Sequence, residues 1–161
     1  MARYGTEAPV TLSVIDRLID RDPKRNLEPP MTRSQSLREI KASVRRDLEW
    51  LLNTRRVIEE CPEALEELKR SLYSFGLPDV SSLYLRSSTD QDLLLREIIN
   101  ALKVFEPRLA SVKVNLDPPT QERWNIRFSI EGLLLIDPAP EPVLFDTVLE
   151  PASGECQVKG Q

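Results

Sequence analysis

The chain has 161 residues, 40% hydrophobic and 30% charged, with 22 Lys and Arg against 26 Asp and Glu and no histidine. That length fits one globular domain burying roughly 68–70% of the surface of its unfolded chain, and the missing histidine closes Ser-His and Cys-His catalysis and His metal ligation. Five scattered glycines make no phosphate loop, Cys61 and Cys156 stand apart with no CxxC and are expected as reduced thiols, and the longest apolar run, Leu133–Ile136, is far short of a membrane span.

In chain order, "TLSVIDRLID" places Leu12, Val14, Ile15, Leu18 and Ile19 at apolar spacing, and a polar, proline-containing "RDPKRNLEPPMTR" follows. This predicts a short helical arm and linker over residues 1–32 and a domain over 33–161. Ser36 with Glu39 reads as a capping box, and Leu37, Ile40, Val44, Leu48, Leu51 and Leu52 recur at helical spacing as far as "NTRR". The segment 33–56 carries seven basic residues against three acidic ones, on the polar positions of that helix, so a solvated face is expected there and nucleic acid is not an expected partner. A second helix is predicted after Pro62, with Leu65, Leu68, Leu72 and Phe75 on one side and Gly76 as terminator. A third has Ser88, Thr89 or Asp90 as cap, Asp92 in its first turn, and Leu94, Ile98, Leu102 and Phe105 on one face.

Beyond Pro107 the apolar period becomes two: Val112 and Val114, then Trp124, Ile126, Phe128 and Ile130, then Val143–Leu149, with a last strand near Cys156–Val158 after the turn "PASG". "DPAPEP" must be a connector or an edge. The fold class is therefore α+β: about three main helices packed on a small antiparallel sheet, with the helical arm in front.

The seam between helix and strand, "KVFEPRLASVKVN", holds Glu106, Pro107 and Arg108. A residue before proline is pushed out of helical geometry, which makes Glu106 a hinge. If the extended chain starts at Arg108, strand parity puts its side chain on the face of Val112 and Val114, where a guanidinium must reach a carboxylate, a carbonyl or water. Glu106 is the nearest carboxylate. The seam is simple punctuation, an internal ion pair, a catalytic acid or a docking point.

"EPRL" after an amphipathic helix, preceded by "SVIDRLID", "DLEWLLNTRR" and "SLYSFGLPD" and followed by "VLFDTVLEPASG", resembles the TssE baseplate subunits of bacterial type VI secretion systems. The relatives of these subunits are wedge proteins of contractile phage tails, which carry a lysozyme-like label. The resemblance implies a cytoplasmic structural adaptor within a baseplate docked at the inner membrane, with no cofactor and no metal. Its implied partners are the wedge subunits TssF, TssG and TssK and the sheath subunits TssB and TssC. Glu106, Pro107 and Arg108 match the family's docking motif, while "LLNTR" and "FGLPD" match fold signatures.

The lysozyme-like label leaves a muramidase using Glu106 as the alternative, beside a wedge protein of a phage-like contractile tail. Glycosidase chemistry needs two carboxyl groups, one able to donate a proton. An adjacent Arg108 works against that role, and no second acid is marked out. No catalytic residue is therefore assigned.

The last 31 residues hold six acids against Lys159. They predict a terminal hairpin with an open edge at the sheet margin, and the resemblance implies an extended sheath arm as its guest, with Val143, Phe145, Thr147, Leu149 and Gln157 as the sheath-facing residues. Deleting residues 150–161 should then leave a folded protein. If Glu106 and Arg108 face a partner, Arg108→Ala should cost the isolated protein little.

Overall fold

A computed structural model describes residues 9–19, 24, 30–57, 61–62, 64–79, 87–117, 126–150 and 155–160. Two compact units make up the chain, Met1–Val44 and Arg45–Gln161. Trp124, the "PASG" turn and most of the linker after the arm lie outside the described residues.

In the first unit, α1 (Val14–Leu18) is the predicted short helix. Ser13 caps it, its Oγ accepting from the Asp16 N–H at 3.1 Å. The Ser43 hydroxyl donates to Asp16 at 2.7 Å, and the Val10 N–H donates to Ser36 Oγ at 2.9 Å. Helix α2 (Arg33–Asn53) begins in this unit and ends in the next. Its capping box lies four residues before the expected one: Thr32 Oγ1 accepts from the Gln35 N–H at 3.3 Å, and Gln35 Oε1 accepts from the Thr32 N–H at 2.9 Å. Ser36 is already inside the first turn, buried, and bonds back to the Arg33 carbonyl at 2.9 Å. Thr-x-x-Gln satisfies the two orphan donors as well as Ser-x-x-Glu does, and it comes first in the chain.

The second unit takes up the chain at the last half of α2, where Leu48, Leu51 and Leu52 are buried. Here the two fold signatures meet. The Leu77 N–H donates to the Thr54 carbonyl at 2.9 Å and the Arg56 N–H to the Leu77 carbonyl at 2.8 Å, a parallel bridge between Arg55 and Leu77. Gly76, at φ +105°, makes the approach possible: a Cβ there would stand 2.3 Å from the Thr54 carbonyl oxygen.

The predicted second helix is reduced to one turn, α3 (Glu66–Lys69), and a 3-10 turn (Leu72–Ser74). Ser71 divides them, donating to the Leu68 carbonyl at 2.8 Å and accepting from the Tyr73 N–H at 3.2 Å, bonds that compete with helix continuation. The expected apolar side is not buried, Leu72 being 84% exposed. Among the described residues, two long helices, not three, therefore carry the fold. The second of them, α4 (Ser88–Phe105), buries Leu94, Ile98, Ala101 and Leu102, and Phe105 meets Phe75 edge-on at 5.1 Å.

Four antiparallel strands follow as a meander in the order β1-β2-β3-β4: β1 (Leu109–Leu116), β2 (Ile126–Leu134), β3 (Glu141–Glu150) and β4 (Glu155–Gly160). Leu109, Val114, Phe128, Ile130, Leu134, Val143, Phe145, Leu149, Cys156 and Val158 are buried. Pro142 opens β3 opposite Leu133, beyond the reach of β4, whose pairing with β3 runs from Phe145 to Glu150. The parity expected along β1 breaks at a bulge between Ala110 and Lys113, with Ser111 at φ +53°. One extra residue turns the strand over, so Leu109 and Val114 are the buried pair.

Candidate functional site

The seam is first a turn. Glu106 leaves helical geometry at φ −122°, ψ 71°, its N–H still donating to the Leu102 carbonyl. Its own carbonyl accepts from the Leu109 N–H at 3.1 Å, which closes a β-turn with Pro107 at the second position, where a fixed φ costs nothing. The Arg108 carbonyl accepts from the Leu135 N–H at 2.8 Å and ties the turn to the far end of β2.

Side chains then lock the turn. Arg108 donates from Nε to Glu106 Oε1 and from Nη2 to Glu106 Oε2, both at 2.6 Å, a two-point clamp on one carboxylate. Arg108 Nη2 also donates to Asp47 Oδ2 at 2.6 Å, from the last half of α2. Glu106 is 3% exposed, whereas the Arg108 and Asp47 side chains stand at the rim, 31% and 29% accessible. The hydrogen bonds to Glu106 raise the Arg108 guanidinium above its ordinary range, against the opposing effect of burial.

Of the three docking residues expected from the sequence, the structure brings Glu106 and Arg108 together as an internal pair and leaves Pro107 exposed. Asp47 completes the group. Its only sequence signal is an acid beside the buried stripe of α2, and its partner is far along the chain. Asp47 reaches further, accepting from Arg46 Nε at 3.0 Å, and the Arg46 guanidinium lies 5.3 Å from the ring centroid of Trp50.

The residues expected to face the sheath are placed differently from one another. Val143, Phe145, Thr147 and Leu149 are buried in β3, an interior strand paired on both sides, and the Thr147 hydroxyl has no hydrogen-bond partner among the described residues. Gln157 lies in β4 with its side chain exposed, opposite Val148. Nor is the outer edge of β4 open. Asn53 donates from Nδ2 to the Cys156 carbonyl at 2.9 Å and accepts at Oδ1 from the Cys156 N–H at 2.7 Å, and Glu49 accepts from the Val158 N–H at 3.1 Å.

At the other margin, the Asp117 N–H donates to the Arg127 carbonyl, which fixes the ladder beyond the bulge so that the backbone groups of Val114 and Leu116 face outward. They bond to nothing among the described residues. No group of three His, Cys, Asp or Glu side chains is placed to hold a metal, and no helix is long and apolar enough to cross a membrane, among the described residues.

Residues 38–139 match the family described as baseplate wedge protein gp25. That span takes in most of α2, the bridge between the two signatures, α4, the seam, β1 and β2. No curated protein matches the chain.

Proposed function

The chain belongs to the gp25 baseplate wedge family, and from that premise we propose that it is the TssE-type adaptor of a type VI secretion system, a structural subunit with no catalytic role. In this reading it sits in the cytoplasm, in a baseplate docked at the inner membrane. It joins wedge subunits of the TssF, TssG and TssK kinds to sheath subunits of the TssB and TssC kinds and helps start sheath assembly.

The observation that supports an adaptor over a muramidase is the state of Glu106. Both of its oxygens accept from Arg108, and at 3% exposure it offers no face to a polysaccharide. Glycosidase chemistry asks a carboxyl group to reach the scissile bond. Here the carboxylate holds a turn.

The sheath contact belongs on the β1 edge rather than on β4, because an incoming extended arm needs unpaired outward groups and, among the described residues, β1 offers them at Val114 and Leu116. Co-expression with TssF, TssG and TssK from one gene cluster tests the assignment, and joint purification is the expected result. Failure to join them, with assembly into phage-tail wedges instead, favours the phage-like tail. Release of soluble peptidoglycan fragments, lost in Glu106→Gln, would restore the muramidase.

A further inference from the structure

The edge of β1 is not uniform along its length. At its start the N–H of Leu109 is already taken, donating to the Glu106 carbonyl at 3.1 Å in the seam turn. The bulge comes next: pairing with β2 slips between Ala110, opposite Leu133, and Lys113, opposite Glu131, with Ser111 at φ +53°. A bulge bends its strand, and regular pairing along an edge ends there. Beyond it, Val114 and Leu116 hold their backbone groups outward, bonded to nothing among the described residues. The open part of the edge is therefore short, and the bulge marks its end.

The two faces of that stretch differ in chemistry. Val114 is buried and Leu116 half-buried, while Lys113 and Asn115 alternate with them on the exposed side. Asn115 donates from Nδ2 to Glu131 Oε1 at 2.9 Å. Lys113, with Glu131 opposite it on β2, makes no hydrogen bond or ion pair among the described residues. A bulge and an edge lysine are two of the devices by which sheets resist indiscriminate strand addition. Here they border an open pair of backbone positions without covering it, so they discriminate among guests instead of excluding all of them. An added strand continues the alternation of the sheet. Its side chains beside Val114 and Leu116 fall on the buried face, and the one beside Lys113 faces an ammonium that an acid would neutralise.

We propose that β1 takes a short guest strand that stops at Ser111: it hydrogen-bonds to Val114 and Leu116, lays apolar side chains beside theirs, and sets an acidic side chain beside Lys113. This rests on the placement of the sheath contact at β1 and deepens it, naming the arm of the sheath subunit by its chemistry. Ser111 and Lys113 are then the residues that determine specificity. One sets where the guest ends, and the other selects its charge.

The test follows amide hydrogen exchange, residue by residue, in the full chain alone and with co-purified TssB and TssC. On binding, the Val114 and Leu116 amides should slow by about tenfold or more, while Ser111 and Val112 keep their free rates. Leu116→Pro removes an outward N–H, a change that an edge tolerates, and should weaken binding about tenfold. Leu116→Ala keeps the N–H and should weaken it less. Lys113→Gln should weaken binding about threefold and flatten its salt dependence. Thermal melts of each variant separate lost binding from lost fold. Slowing that spreads through Ser111 and Val112, or a Lys113→Gln protein with the parent's affinity and salt dependence, overturns this proposal and leaves the β1 contact standing. Binding without slowing at Val114 and Leu116, or a folded Leu116→Pro protein that binds as tightly as the parent, overturns the contact as well. A chain that binds no sheath subunit overturns the adaptor reading with it. Slowing that grows with the concentration of the chain alone overturns the proposal in favour of a second copy at this edge.

Discussion

Arg108→Ala removes the clamp from Glu106, and the size of the effect follows from where the charges lie. At the surface an ion pair contributes about 0–1 kcal/mol. Breaking a buried pair by removing one member costs about 3–5 kcal/mol, because the other charge stays in place without compensation. Glu106 is buried, but Arg108 is 31% accessible, so water reaches the vacated space. That puts the loss near the lower bound, at about 3 kcal/mol, which is about 6–12 °C in melting temperature for a chain of this size. This replaces the expectation that Arg108→Ala is cheap in the isolated protein. Urea unfolding followed by circular dichroism measures it, with Asp47→Ala, which loses only a rim contact, as the milder comparison at about 1 kcal/mol. Combining Glu106→Gln with Arg108→Met removes both charges and should recover part of the loss. A loss below about 1 kcal/mol for Arg108→Ala, the surface-pair range, would refute the claim that this pair builds the seam.

Gly76→Ala should destabilise the protein by about 2–3 kcal/mol, since a positive φ is costly for an L-residue and the new methyl meets the Thr54 carbonyl at 2.3 Å; an unchanged melting temperature would show that the bridge to Thr54 yields easily. For Cys156, burial pushes the thiol from its usual 9.0 up to about 11, against a smaller opposing effect of Arg55. The unfolded thiol loses its proton first, so the protonated thiol's contribution is fully present below pH 9 and is lost as pH rises towards 11, at about 1.4 kcal/mol per pH unit. Unfolding free energies from pH 7 to 11 should fall more steeply for the parent than for Cys156→Val, and parallel curves would contradict this.

Much of this was legible in the sequence wherever one periodic pattern dominated. Leu94, Ile98 and Leu102 define the buried face of α4, and Pro107 ends it, because a 3.6-residue period and a proline are strictly local signals. The seam was legible as a joint, but its partner was not. Asp47 joins Arg108 only through tertiary packing, and in "RRDLEW" it looks like any other polar helix residue. Leu65, Leu68 and Leu72 have the spacing of a longer second helix, while the hydrogen bonds of Ser71 that interrupt it do not appear in a hydropathy pattern. Strand parity failed at Ser111 for a related reason: nothing in a serine announces a left-handed backbone, and one extra residue reverses every side chain before it.

The same limit explains the C-terminal edge. Asn53 stands in the "NTRR" at the helix end, and its carboxamide carries a donor and an acceptor in the arrangement of a peptide group, using both on Cys156 as a neighbouring strand would. Glu49, four positions earlier, takes the next outward N–H, that of Val158. The match is metric. Four helical residues rise about 6 Å, and two strand residues span about 6.6 Å, so side chains four apart on a helix running against a strand meet every second residue of it. Removing residues 150–161 would therefore delete Cys156 and Val158 from the core and strip Asn53 and Glu49 of their partners, and the loss of an edge could not be told from the loss of the fold. A guest strand at β4 must first break three hydrogen bonds to α2. At Val114 and Leu116 of β1 it breaks none among the described residues, and for equal gains in new backbone pairing the edge with fewer bonds to break is the more favourable one.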